Sequence, residues 1–312
     1  MRRIVAPCAL LSTVILSACG GGGGGGLSST PPPPPPPPAQ VNTSLASLQF
    51  SETFSFAPTG VIQYSVTRPA GAATSRTATS VSITDGGQVR YDAGAASYTL
   101  VGSVVPQVTF SSGDRVAASS NATITGYQKT SGSRQDNFAL FNAGSGNPTL
   151  ALTYVSYGAQ QSITDRGSSI DVDTAFFTFG VATAASDMPR TGTASYRTNL
   201  DGQFADPSGV YALGGTSSLT ADFAAATVAF SMTPVGTNVV SGGTKTFGTQ
   251  TVNAAIQSGT NRFSGNGTAN AQGYRAGLTG AFYGPQAAEV GGVISIVGNN
   301  GFGTGAVVGR KN

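Results

Sequence analysis

In the last third of the chain, apolar residues recur at every second position. Over residues 274–283, Tyr274, Ala276, Leu278, Gly280 and Phe282 share one face of a period-2 segment, while Arg275, Thr279 and Tyr283 share the other. After a Gly284-Pro285 break, Val290, Gly292, Ile294 and Ile296 form a second apolar face opposite Glu289, Val293 and Ser295. The two segments predict a β-hairpin closed by a loop of about four residues rather than a two-residue turn. Glycines inside strands fit a sheet that bends sharply, as at the corners of a small closed barrel.

The same alternation predicts strands near 192–199, 210–223, 227–232, 244–257, 262–270, 273–284, 289–297 and 301–309. Roughly eight antiparallel strands close a barrel whose interior is just filled by side chains. Leu219, Ala221 and Phe223 are expected to face inward opposite Val228, Phe230 and Met232. Outward positions are mostly Ser, Thr, Asn, Gln and Arg, unlike the apolar band of a barrel that spans a membrane.

Upstream, short strand-like runs at 60–66, 81–84, 88–91, 97–101, 107–110, 150–155 and 174–179 are separated by turn residues such as Asp85-Gly86-Gly87 and Asp92-Ala93-Gly94. They predict a mainly antiparallel β-domain. Residues 111–121 and 126–148 are long polar stretches, and the second carries Arg134, Phe138 and Phe141, residue types that anchor interfaces. These three are the candidate partner-binding residues. The alternative places Phe138 and Phe141 in a strand over 137–142.

Three stretches of the C-terminal part resemble the β-barrel domain of transferrin-binding protein B and related bacterial surface lipoproteins. They are Phe282-Tyr283-Gly284-Pro285 with Glu289, Gly291 and Gly292, then residues 218–224 with 227–231, and residues 192–196. Tyr91-Asp92-Ala93 and Ser97-Tyr98-Thr99 are similar to a segment of the handle domain that precedes the barrel in that family. The resemblance implies an all-β chain: an N-terminal antiparallel handle-like β-domain (45–186), then an eight-stranded antiparallel barrel (187–312). One handle and one barrel fit the single-lobed relatives better than a two-lobed transferrin receptor.

Composition narrows the function. The chain has 44 glycines, 9% charged residues and no histidine. Ser-His-Asp and Cys-His catalysis, imidazole metal sites and His-ligated haem are thereby excluded, and an enzyme is not expected. No cofactor is expected either. Tyrosine can ligate haem iron, which singles out Tyr154 and Tyr157, although two tyrosines three apart on a strand are more often ordinary sheet residues. Asp171 and Asp173 alternate on one strand face but are too few for a calcium cage and read as a solvated edge. Glu289 is expected to accept backbone amides or to pair with Arg275 or Arg262.

Residues 1–18 read as a leader: Arg2-Arg3, an apolar run, then Leu16-Ser17-Ala18-Cys19. That order resembles a bacterial lipobox, in which Cys19 is acylated and anchors the protein to the outer membrane, with Gly20 rather than Asp behind it. Loss of Arg2 and Arg3 with the leader lowers the formal charge of +3 by two, to about +1, so no basic patch for nucleic acid follows. Cys8 leaves with the leader and lipid consumes Cys19, so the folded part holds no thiol. Residues 19–44 form a tether: a flexible glycine run, then eight prolines that favour a semi-rigid polyproline spacer of about 25 Å.

These features together predict a lipid-anchored surface protein that binds an extracellular ligand, an iron- or haem-bearing protein or solute, beside a TonB-dependent outer-membrane transporter. A non-nutritional surface lipoprotein for adhesion, shielding or host-protein binding is the alternative. Metabolic labelling with a radiolabelled fatty acid should mark the wild-type protein, and Cys19→Ala should abolish the label. Label retained by the variant refutes lipidation at Cys19.

Overall fold

A computed structural model describes residues 40–55, 59–68, 73–75, 81–84, 87–102 and 105–312. The leader, Cys19 and the Gly/Pro tract through residue 39 lie outside the described residues. Residues Gln40–Asn312 form one compact unit.

The first eleven strands build two sheets. They are β1 (Glu52–Ser55), β2 (Thr59–Thr67), β3 (Ala73–Ser75), β4 (Val81–Thr84), β5 (Gln88–Asp92), β6 (Ser97–Val101) and β7 (Val108–Phe110). After two 3-10 turns, Ser112–Asp114 and Ala117–Ser119, follow β8 (Ile124–Ser131), β9 (Arg134–Phe141), β10 (Val155–Asp165) and β11 (Ser169–Gly180). The small sheet has the order β1-β5-β6-β7; the larger runs β3-β2-β11-β10-β9-β8, with β4 also on β2. Tyr91 and Tyr98 sit opposite each other in the β5–β6 hairpin, ring centroids 5.2 Å apart. Alternation on β11 serves both faces of the larger sheet. Phe177 and Phe179 join Phe54, Leu100, Phe110 and Phe138 against the small sheet, and Phe176 points the other way.

The remaining strands are β12 (Thr193–Asp206), β13 (Gly209–Asp222), β14 (Thr227–Asn238), β15 (Thr244–Thr246), β16 (Gln250–Ile256), β17 (Arg262–Asn266), β18 (Arg275–Tyr283), β19 (Glu289–Gly298) and β20 (Gly301–Lys311). Their order is β13-β12-β20-β19-β18-β17-β16-β14, and a β13–β14 pairing closes the ring, leaving β15 as an extra strand on β14. This is the predicted closed eight-stranded antiparallel barrel. Leu219 lies opposite Phe230 and Ala221 opposite Val228. With Phe223, Met232, Phe263, Leu278, Phe282 and Ile294 they fill the lumen.

The predicted strand at 244–257 is interrupted. The chain leaves the ladder at Phe247, Gly248 and Thr249, and the Phe247 ring folds into the lumen, with its centroid 4.7 Å from that of Phe204 and 5.1 Å from that of Tyr274. Asn270 holds the break by donating to the Phe247 and Thr249 carbonyls at 2.8 and 3.2 Å. Burying one more aromatic ring at the barrel end outweighs two ladder hydrogen bonds that a side chain can replace.

The outer wall departs further from expectation. On β14 the outward Thr227, Ala229, Thr233 and Thr237 are exposed, as the alternation predicts. On β18 to β20, by contrast, both faces are buried. Ala281, Tyr283, Ala306 and Val308 pack outward against Phe141, Val155, Tyr157 and Phe176 of the larger sheet. Val172, Ile62 and Tyr64 likewise cover Ala205, Val210 and Phe302. The molecule is thus three layers: small sheet, large sheet, barrel.

Candidate functional site

The hairpin predicted from the sequence is the seam between the last two layers. Residues 284–288 form its loop, with a 3-10 turn at Pro285–Ala287. Its carboxylate, Glu289, is 3% exposed. One Glu289 oxygen accepts the Thr153 amide at 2.7 Å, and the other accepts those of Tyr154 and Val155 at 2.7 and 2.9 Å. Burial pushes this carboxyl above the usual carboxylate range, while the three amides and the Arg310 guanidinium pull it back. The nearby positive charge comes from Arg310, which β20 sets directly across from Glu289, rather than from the expected Arg275 or Arg262.

The same contact corrects the strand predicted over 150–155. Leu150 and Leu152 are buried, as alternation requires, yet ladder structure starts only at Val155. The amides that a neighbouring strand would satisfy are satisfied by the carboxylate instead.

Backbone and glycine geometry complete the seam. Beyond β11, the Thr183 amide donates to the Phe282 carbonyl at 3.0 Å and the Gly284 amide to the Val181 carbonyl at 2.8 Å. Gly284 has φ +70°, and a Cβ there would stand 2.3 Å from the Tyr154 ring. A Cβ on Gly291 would meet Val155 at 2.8 Å and Thr178 at 3.0 Å. The motif residues therefore fit the sandwich's approach: Phe282 faces the lumen, Tyr283 the sandwich, and the glycines leave room for it.

The sequence-predicted binding residues lie elsewhere. Residues 126–148 are largely the β8–β9 hairpin rather than a loop. Phe138 is buried against the small sheet and Phe141 against the barrel, on opposite faces of β9, which is the strand alternative and removes both rings from the surface. Arg134 pairs with Asp136 at 3.0 Å. Three apart on opposite faces of one strand, the two phenylalanines carry no period-2 signal of their own.

Tyr154 packs on Gly284, whereas Tyr157 is buried and its hydroxyl donates to Asp201. Burial and then the Asp201 charge push the Tyr157 phenol far up, the wrong direction for a phenolate ligand. Asp171 and Asp173 are not on an edge, since β11 runs between β2 and β10. Asp171 accepts from Ser65 at 2.6 Å and Arg166 at 2.9 Å, and Asp173 from Gln63 at 2.8 Å. Among the described residues, no group of three or more His, Cys, Asp or Glu is placed to hold a metal ion.

An exposed apolar feature went unread in the sequence. At the barrel end opposite the seam, the β14–β15 connection carries Val239 and Val240, 57% and 83% exposed, with Val235 beside them on β14. Beneath this tip, Lys245 pairs with Asp206 and lies 5.6 and 5.4 Å from the Phe204 and Tyr211 ring centroids. Burial draws the Lys245 ammonium down, but the Asp206 hydrogen bond and charge outweigh it and the net direction is up. The ribbon thus presents two exposed valines at this end of the barrel. Two valines inside a turn rich in Asn, Ser and Gly were the available signal.

Comparison with known proteins agrees with the barrel. Residues 188–311 match the family model for the C-lobe and N-lobe β-barrels of Tf-binding protein B. The similarity is to the β-barrel domain of that family and lies within residues 188–311. Similar solved structures include a transferrin-binding protein B from Haemophilus parasuis, 18% identical, TM-score 0.47, over 80% of this chain and 44% of that one. Another comes from serogroup B Neisseria meningitidis, 17% identical, TM-score 0.45, over 81% and 43%. The N-lobe of lactoferrin-binding protein B from Moraxella bovis is 13% identical, TM-score 0.36, over 81% and 99%. The chain spans less than half the length of either transferrin-binding protein B. No curated protein matches the sequence.

Glu289→Ala leaves three amide donors without their acceptor, that of Val155 buried, and is expected to lower unfolding free energy by about 2–4 kcal/mol. Glu289→Gln keeps one acceptor oxygen and should cost about 1–3 kcal/mol. Urea melts at constant m-value check both, and a loss under about 0.5 kcal/mol in each variant contradicts the seam.

Proposed function

We propose that this protein is a surface receptor held to the outer membrane by lipid on Cys19, which captures an extracellular iron- or haem-bearing protein and works beside a TonB-dependent transporter. The observation that carries the reading is the match of residues 188–311 to the barrels of Tf-binding protein B. In this reading residues 1–18 are the lipoprotein signal, 19–44 the tether, 45–186 the handle and 187–312 the barrel.

Geometry supports capture on the outside of the molecule. Aromatic and aliphatic side chains occupy the lumen, so a ligand meets the barrel at its rims and loops. Leu45 donates to the Thr153 carbonyl at 2.8 Å, so the described chain begins beside the seam. Val239 and Val240 stand at the barrel end opposite the seam and provide apolar area that a protein partner buries.

Residues 40–312, immobilised, are screened by surface plasmon resonance against iron-carrier proteins, haemoproteins and haem. One of them should bind, and Val239→Ser with Val240→Ser should weaken it by about tenfold without moving the melting curve. No binding to any of them, with normal growth of a deletion strain on scarce iron, overturns capture and leaves adhesion or shielding.

A further inference from the structure

Between the large sheet and the barrel wall, away from the seam, the two layers diverge and leave an open cleft of about 400 Å³. Its size falls in the range of small-molecule sites, roughly 300–1,000 Å³. The sheet side comes from β8 to β11, the opposite side from β12 and β13, and the 3-10 turn at Ala117–Ser119 closes a third side. Ala139, Ala159 and Gly202 keep the middle open. Among the described residues, the lining contains no charged side chain.

What the lining does contain is a run of polar side chains, Asn137, Gln161, Thr174 and Gln203, which Gln135 extends beyond the lining. Gln135 donates to Asn137 at 2.9 Å, Asn137 to Gln161 at 3.4 Å, Gln161 to the Thr174 hydroxyl at 3.2 Å, and Thr174 to the Gln203 carbonyl oxygen at 3.2 Å. The run crosses from β9 on the sheet to β12 on the barrel. Each carboxamide nitrogen has two protons and each oxygen two lone pairs, so a chain using one donor per group leaves spare donors and acceptors on Asn137, Gln161 and Gln203, which line the cleft. Gln128, on the sheet side, lines the same space.

We propose that this cleft binds a neutral oligosaccharide. Ions and charged metabolites need a counter-charge that this lining lacks. A ring hydroxyl both donates and accepts, and paired carboxamides offer both functions at fixed positions. The lining alanines, Ala139, Ala159 and Ala212, together with Phe176 give apolar surface that suits the C–H faces of a sugar ring. The inference stands apart from iron capture, because it rests on the cleft alone. A glycan carried by an extracellular glycoprotein and a free oligosaccharide present the same chemistry.

The full lipidated chain in detergent is tested by saturation-transfer difference NMR against lactose, maltose and N,N′-diacetylchitobiose, and on an array of neutral protein-linked glycans. At least one neutral sugar should bind, with affinity unchanged from 50 to 500 mM salt. Response to the free disaccharides assigns a soluble oligosaccharide, and response on the array alone assigns a glycoprotein-borne one. Gln161→Ala, inside the run, and Gln128→Ala, outside it, should each weaken binding about tenfold. Gln128→Ala should leave the melting temperature in place, so a folding defect in the first variant does not decide the outcome. Absence of neutral-sugar binding, binding only to acidic glycans, or full binding by both variants overturns the proposal. Variants that only lower the melting temperature, with no sugar bound by the wild type, show the run to be a structural ladder.

Discussion

A single buried carboxylate organises the meeting of sandwich and barrel. Glu289 stands at the first position of β19 and is held by three successive amides more than a hundred residues away in sequence. Withdrawing a carboxylate from water costs several kcal/mol unless donors replace the lost solvation. Three convergent N–H groups supply that replacement, and they come from a segment whose own hydrogen bonds would otherwise be unmade. Cost and remedy are complementary: the carboxylate needs donors, and residues 153–155 need an acceptor. Removing the amides leaves a buried carboxylate without donors, and removing the carboxylate leaves three amides without their acceptor.

Everything at the seam follows from that close approach. Tyr154 can lie on Gly284 and Val155 on Gly291 only because neither position has a Cβ. The outward faces of β18 to β20 carry Ala281, Tyr283, Ala306 and Val308 where a free-standing barrel would carry polar residues. The wall is therefore sandwich-facing on one side of the barrel and water-facing on the other. With the lumen filled and this part of the wall covered, the surfaces left for partners are the far rim, the loops and the cleft where the layers diverge.

Much of this was legible in the sequence, and the unread part has a common cause. Period-2 alternation located the eight barrel strands and the lumen set, since Leu219, Phe230, Phe282 and Ile294 obey a local rule that needs no knowledge of neighbours. The second buried face of β19 obeys none. Gly291 and Val293 next to Val290 and Ile294 read as surplus hydrophobicity until a second layer is present. Phe138 and Phe141 were ambiguous because opposite faces of one strand serve two different cores. Strand structure at 150–154 was overpredicted because propensity cannot anticipate an acceptor supplied by Glu289. The amide run is a tertiary coincidence with no motif of its own, and the valine tip showed only as two valines in a polar turn.

The central claim is that the seam makes sandwich and barrel one cooperative body. Native-state hydrogen exchange under increasing denaturant tests it directly, read at the amides of Thr153, Tyr154 and Val155 beside that of Ile294 in the barrel. The account predicts that all four exchange through the same global opening, with one free energy and one denaturant dependence. Exchange at 153–155 through a separate, lower-energy opening while Ile294 stays protected would contradict it.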